Sequence, residues 1–198
     1  MFLDKQSHKN VWVTRVINQG KSLIGSPLLA SFLTLGWIPV ATTTIVFLTG
    51  KPSPLFIVAQ SLTASIVVLG PYQAYLYDTS VLPSFFDDVK GLVSDDNHDR
   101  LNQLQENYEQ KFRTNHFWFV LLWTVAVVSV LPLNSEYFLT QGIQFLESTY
   151  VAYLIFLVDF GLLSGLGLYS VVVTTRCIGA VAELGLEIEP LHPDGLGG

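Results

Sequence analysis

The sequence predicts an all-α integral membrane protein, a four-helix bundle with a cytoplasmic helical loop. Half of the 198 residues are hydrophobic and 13% are charged, whereas a soluble domain carries about 25% charged residues. The charges gather near both termini and in one central segment, which leaves four long apolar stretches. Each stretch reaches the length of about 20 residues with which a helix crosses a hydrocarbon core.

The four apolar stretches define the predicted spans. A soluble bundle would need a polar face on each helix at 3.6-residue spacing, and residues 117–123 offer none. The spans are predicted at residues 22–50, 52–77, 117–135 and 148–175, and only the last contains a charged residue, Asp159. A short link with Gly50, Pro52 and Pro54 joins the first two, because proline and glycine end helices.

The basic residues predict the orientation. Lysine and arginine in short loops remain on the cytoplasmic side. If the amino terminus lies inside, nine of the ten basic residues lie inside and only Lys51 lies outside. We therefore expect a multi-pass protein of the cell membrane with both termini in the cytoplasm. It divides into a cytoplasmic or interfacial segment 1–21, spans 1 and 2 in 22–77, a cytoplasmic helical loop 78–115, spans 3 and 4 in 116–176, and an acidic cytoplasmic tail 177–198.

Two segments beside the spans carry further expectations. Residues 11–17 mix aromatic, branched and basic side chains, which suits either a stretch lying in the membrane interface or a simple lead-in to the first span. Residues 81–84 contain Pro83 and predict a turn after the second span. Pro39 lies inside the first span, where we expect it to shape packing.

The central loop predicts a cytoplasmic helix that Ser94 caps. Acidic residues follow in its first turn and basic residues in its last, as the helix dipole favours. An apolar stripe recurs at three- or four-residue spacing and must be covered, either by the bundle of the same chain or by a partner. The stripe consists of Leu101, Leu104, Tyr108 and Phe112.

The acidic residues near this helix start do not predict a metal site. Asp95, Asp96 and Asp99 beside His98 lack the spacing of a calcium loop, so we expect a solvated face. We expect no metal, no cofactor and no catalytic centre, because no phosphate loop and no nucleophile elbow is present. The net charge of −6 argues against a nucleic-acid partner.

Asp159 is the main candidate for function. A carboxylate near the middle of a bilayer costs several kcal/mol unless it is paired, hydrated or protonated. It either serves function or is a neutral carboxyl that hydrogen-bonds to a neighbouring hydroxyl. Gly161 and Gly165 lie about 200° and 240° around the helix from it and favour close packing against another helix. The fourth span would then be constrained on two faces, which an oligomer satisfies more easily.

The carboxyl-terminal tail carries a resemblance. A long last helix with a basic inner end precedes His192, Pro193 and Asp194, and Gly197 and Gly198 follow. This order resembles a loose group of uncharacterised prokaryotic polytopic membrane proteins over about the last 50 residues. In that group the motif leads into further membrane segments. His192 and Asp194 fit either a plain turn or part of a binding site for a metal or a phosphate-like group.

Two functional classes follow from the sequence. The first is a subunit of an oligomeric channel or transporter, with a homo-oligomer expected in the bilayer, in which Asp159 faces water or a symmetry axis. The second is a non-catalytic scaffold, sensor or assembly partner, in which Asp159 is internally bonded and the apolar stripe holds a cytoplasmic protein.

Overall fold

The computed structural model describes residues 11–114 and 116–184, without the side chains of residues 95 and 112–114. The predicted all-α class is confirmed, and a single 3-10 turn at Asp95–Asn97 precedes the fourth helix. In the described part, the helices are α1 Trp12–Ile24, α2 Pro27–Thr49, α3 Pro54–Lys90, α4 His98–Thr114, α5 His116–Leu133, α6 Ser135–Thr140 and α7 Ser148–Ala182.

Four of these helices, α2, α3, α5 and α7, are long and apolar enough to cross a membrane. Helices α3 and α7 contain 37 and 35 residues. At 1.5 Å per residue they are each more than 50 Å long, whereas a hydrocarbon core measures about 30 Å. Both helices are therefore longer than one membrane crossing. We call the end of the bundle where α1 and α4 pack the α4 end. The opposite end, which contains α6, is the α6 end.

The first span begins later than the sequence predicts. Gly25 adopts a left-handed conformation with φ 82°, and it ends α1 by donating its N–H to the Lys21 carbonyl. The Ser26 side chain then caps a new helix whose first residue is Pro27. The predicted start at residue 22 is thus wrong by five residues.

Helix α1 is a separate amphipathic helix that packs on the bundle. Val13 and Ile17 are fully buried, and Gly20 lies against Ala30 of α2. Lys21 Nζ donates to the Tyr75 hydroxyl of α3 at 3.2 Å. Residues 11–17 therefore belong to a packed helix and are not a simple lead-in.

The turn that the sequence predicts at residues 81–84 is wrong, because α3 continues through it. Proline clashes with the carbonyl of the residue four positions earlier, which is Thr79 for Pro83. Thr79 lies in a wider π-helical turn, Tyr77–Val81. The same arrangement occurs in α2, where the residue four positions before Pro39 is Leu35, within the π-helical turn Phe32–Gly36. Each helix thus continues past its proline.

Helix α4 packs on the protruding ends of α3 and α7. Leu101 and Tyr108 are only 2% and 4% exposed, and the Tyr108 ring lies 6.0 Å from that of Phe86 in α3. Asn97, just before α4, donates its side-chain N–H to the Leu184 carbonyl at 3.0 Å. The apolar stripe is therefore covered by its own chain at these two residues. Leu104 is half-buried, and the side chain of Phe112 lies outside the described part.

At the α6 end, backbone N–H groups of the link between α2 and α3 donate hydrogen bonds to Gln141. Lys51 N donates to the Gln141 carbonyl at 3.1 Å, and Ser53 N donates to the Gln141 side-chain oxygen at 2.8 Å. Gly142 follows with φ 77°, and a β-carbon there would lie 2.5 Å from Lys51 N. The link between α2 and α3 is thereby fixed to the segment between α6 and α7.

Candidate functional site

Asp159 lies near the middle of the membrane-crossing part of α7. It is eleven residues from Ser148, where α7 begins at the α6 end, which corresponds to about 16 Å along the helix axis. That depth is about half of a 30 Å hydrocarbon core.

Gly161 and Gly165 place α5 on one face of α7. A β-carbon at Gly161 would lie 2.9 Å from the Thr124 α-carbon, and one at Gly165 would lie 3.3 Å from the Val120 α-carbon. The two backbones therefore approach closely, as the small-residue pair predicts. This face of α7 therefore packs against α5 of the same chain.

Asp159 lies about 200° around α7 from Gly161, and α2 and α3 also pack on α7. It is only 7% exposed, and its Oδ2 atom has no hydrogen-bond partner among the described residues. The nearby positions Ala152 and Phe156 on the same side of α7 are apolar and buried. The carboxyl group therefore lies in a buried and apolar environment on α7.

The interior holds few other polar contacts between spans. Gln60 of α3 donates to the Thr43 hydroxyl of α2 at 3.2 Å. Thr42 and Thr124 are also buried, but their hydroxyls donate to carbonyls of their own helices. Asp159 is the one buried acidic residue among the described residues. Besides its Oδ2 atom, the buried hydroxyls of Thr14, Ser31 and Thr149 also have no hydrogen-bond partner there.

A cluster of three hydroxyls joins α3, α4 and α7 at the α4 end. The Tyr77 hydroxyl lies 2.9 Å from that of Tyr108 and 2.5 Å from that of Thr174, and Tyr108 lies 2.9 Å from Thr174. Burial raises the pKa of Tyr108 well above its ordinary value, and the Tyr77 hydroxyl adds to this effect while the Thr174 hydroxyl opposes it. The cluster was not expected from the sequence, because its members are far apart in the chain.

A cavity of about 380 Å³ lies between α3 and α7. It begins beside Phe160, the neighbour of Asp159, and reaches Tyr77 of the hydroxyl cluster. Its volume falls within the range of about 300–1,000 Å³ that is typical of small-molecule sites. The sequence analysis missed this cavity. Gly70 and Gly167, two helix-interior glycines outside any close-packing pair, were the available signal.

The remaining candidates do not form a site in the described residues. Nε2 of His98 lies 3.1 Å from the carbonyl oxygens of Lys90 and Val93, so it donates to the turn before α4. No group of three metal-binding side chains occurs within residues 11–114 and 116–184. His192 and Asp194 lie outside the described residues.

Comparison of the chain with protein-family models, with curated proteins and with solved structures finds no match. The fold and the candidate site therefore rest on the sequence and on the geometry given above.

Proposed function

We propose that this membrane protein is transporter-like and moves a proton or a small cation by way of Asp159. The observation that carries the proposal is the buried Oδ2 atom of Asp159, which has no partner in the described part of the chain. A carboxyl group without a stabilising partner at this depth is costly, and a structural role would give it a hydrogen bond. A proton or a cation can supply that missing partner.

The helices around Asp159 offer a means of changing its access. The π-helical turns Phe32–Gly36 and Tyr77–Val81 interrupt the regular hydrogen bonding of α2 and α3. Such turns are frequent at functional sites and allow a helix to bend or shift. Both helices pack on α7, so a bend in either one would change the surroundings of Asp159.

The proposal includes an orientation. Of the eight basic residues in the part of the chain that the structure describes, seven belong to the α4 end and only Lys51 lies at the α6 end. Because basic loops remain inside, the α4 end faces the cytoplasm and Asp159 binds its ion between the two sides of the cell membrane.

Neither a homo-oligomer nor a cytoplasmic protein partner is needed by this proposal. Helix α7 packs against α5 at Gly161 and Gly165, and against α2 and α3, all from one chain. Leu101 and Tyr108, which a scaffold would use to hold a partner, are covered by the same chain. The scaffold or sensor function would therefore need a different surface.

The test is a flux measurement on proteoliposomes that contain the purified protein. A potassium diffusion potential drives protons inward, and a trapped pH dye reports them. A second set of vesicles tests sodium flux in the same way with a sodium dye. We expect the native chain to conduct one of these ions and Asp159→Asn to abolish that flux.

Asp88→Asn is the matched control, because Asp88 is an exposed carboxylate on the protruding end of α3. It should conduct as the native chain does. Flux that Asp159→Asn leaves unchanged would exclude Asp159 from the path. No flux from any folded variant would contradict the transport function and favour the scaffold or sensor function.

A further inference from the structure

The cavity between α3 and α7 has one wall from each helix. On α3 the lining residues Ile66, Gly70, Gln73 and Tyr77 follow one another at helical spacing from mid-span to the α4 end. On α7 the residues Phe160, Leu163, Gly167 and Ser170 do the same. The cavity therefore runs along the two helices, parallel to the membrane normal, over about half of the membrane.

The space between the two helices is open because glycines, which have no side chain, stand in its walls at positions 70 and 167. A β-carbon added at Gly70 or at Gly167 would meet no atom within 4 Å. This contrasts with Gly161, where a β-carbon would strike the backbone of α5. Glycine in a helix interior costs about 1 kcal/mol relative to alanine, and close packing does not explain that cost at positions 70 and 167. These two glycines keep the space between α3 and α7 open.

The cavity is accessible from the lipid side. Ile66 is 68% exposed, and Gln73 and Gly167 are exposed as well. These three residues lie on the outer surface of helices that cross the membrane, so the opening faces acyl chains rather than water. A ligand would enter sideways from the bilayer.

The polarity of the walls changes along the cavity. Ile66, Phe160 and Leu163 make the mid-span end apolar, whereas Gln73 and Ser170 bring an amide and a hydroxyl to the α4 end. Ser170 donates to the Leu166 carbonyl and keeps its lone pairs as acceptors. The Gln73 amide can both donate and accept. This order matches a molecule with an apolar tail toward the membrane centre and a hydrogen-bonding head at the surface.

The charge of the lining residues indicates which kind of ligand head group the cavity can accept. None of the described residues that line the cavity is charged. Val11, at the polar end, donates its N–H to the Asp78 carboxylate at 3.2 Å, so a negative charge lies beside that end. An anionic head group would be repelled there and would find no cation in the lining. An uncharged head group with hydroxyl groups would instead find hydrogen-bonding partners in Gln73 and Ser170.

We propose that this cavity binds an uncharged single-chain amphiphile of the monoacylglycerol type. Its tail lies between Ile66 and Leu163, and its hydroxyl groups bond to Gln73 and Ser170. The volume of about 380 Å³ lies near the lower end of the range of small-molecule sites, which favours a ligand with one acyl chain.

The test uses a monoacylglycerol with a photoactivatable diazirine in its acyl chain, added to the full-length protein in phosphatidylcholine vesicles. After irradiation, mass spectrometry locates the cross-linked residues. We expect saturable labelling of Ile66 and Leu163. Excess unlabelled monoacylglycerol should reduce it, and a fatty acid of equal chain length, tested at alkaline pH where its carboxyl group is ionised in the bilayer, should not.

The cavity-filling variants Gly70→Leu and Gly167→Leu should each lower this labelling about tenfold, which corresponds to 1.4 kcal/mol. Gly179→Leu is the matched control, because a β-carbon at this α7 glycine also meets no atom within 4 Å and Gly179 does not line the cavity. Circular dichroism and thermal unfolding confirm that each variant is folded.

Two results would overturn the proposal. Labelling of Ile66 and Leu163 that persists in both filled variants would place the probe in ordinary lipid around the protein. If the fatty acid competed as strongly as the unlabelled monoacylglycerol, the cavity would not distinguish an uncharged head group from an anionic one. Asp159 does not line the cavity, so Asp159→Asn should leave the labelling unchanged, and this proposal can fail or succeed separately from the ion flux.

Discussion

Gly161 of α7 lies directly against Thr124 of α5, with no side chain between the two backbones. A β-carbon at position 161 would come within 2.9 Å of the Thr124 α-carbon and 3.0 Å of its Cγ2 atom. Because backbone atoms at the centre of two packed helices cannot shift alone, the whole contact between α5 and α7 depends on this glycine.

Replacement of Gly161 by leucine should therefore destabilise the protein. We expect a loss of about 1–3 kcal/mol in the free energy of unfolding, as for overpacked cores. Thermal unfolding in detergent micelles measures it. Gly179→Leu, in the same helix with open space around it, should instead gain up to about 1 kcal/mol of helix propensity. Equal effects of the two changes would show that the close approach is unimportant.

Gly142 at the α6 end and Gly25 between α1 and α2 are both left-handed glycines, which allows a comparison. Gly142 has φ 77° and a β-carbon there would lie 2.5 Å from Lys51 N, whereas Gly25 has φ 82° and open space. Gly25→Ala should cost about 1–2 kcal/mol from the backbone conformation alone. Gly142→Ala should cost clearly more, because it also breaks the contact with the α2–α3 link. Urea unfolding of both variants checks the order, and a reversed order would contradict this account.

The buried hydroxyl of Tyr108 predicts a pH dependence of stability. Burial raises its pKa in the folded state above the ordinary value of about 10. The unfolded state therefore loses this proton first, so the stability from Tyr108 is complete below about pH 10 and falls as the pH rises further. We expect the native chain to lose up to about 1.4 kcal/mol per pH unit more than Tyr108→Phe above pH 10. Unfolding midpoints at pH 8 to 11 measure the difference.

At neutral pH the same variant tests the hydroxyl cluster itself. Tyr108→Phe should cost about 0.5–1.5 kcal/mol, the value of a typical hydrogen bond. Tyr137→Phe changes a half-exposed tyrosine at the α6 end and should cost almost nothing. Limited proteolysis should cut near α4 faster in Tyr108→Phe only, and equal cutting of the two variants would argue against a fastening role of the cluster.

The state of Asp159 can be read from stability as well as from flux. Leucine at position 159 removes a polar group that has no partner at Oδ2, so Asp159→Leu should stabilise the protein by about 1–3 kcal/mol. Thermal unfolding in micelles at pH 7 tests this. Destabilisation would mean that the carboxyl group has a structural partner, and it would weaken the transport proposal.

Much of the fold could be predicted from the sequence, because a span needs only length and apolar character. The predicted span at 117–135 and the helix α5, His116–Leu133, nearly coincide. The break at Gly25 was missed, because Ser22, Leu23 and Ile24 look like the start of an apolar stretch, and the signal lay in the Gly25-Ser26-Pro27 order. Pro83 gave a wrong turn, since a π-helical turn before a proline cannot be recognised from composition.

The site could be predicted only in part. Asp159 and the Gly161–Gly165 pair are visible from spacing, because both depend on one helix. The absence of a partner for Asp159 depends on which residues α2 and α3 bring to it. The hydroxyl cluster likewise needs Tyr77, Tyr108 and Thr174 to meet from three helices, and the pattern of a single helix contains no such information.

The unbroken length of α7 has a mechanical consequence. Asp159 and Thr174 are fifteen residues apart on one continuous helix. They are therefore about 22 Å apart along the helix axis. A tilt of about 5° at Asp159 would displace the Thr174 hydroxyl by about 2 Å over that length, enough to separate it from Tyr77 and Tyr108. A small tilt of α7 at Asp159 would then break these hydrogen bonds to α4, without any change inside α7 itself.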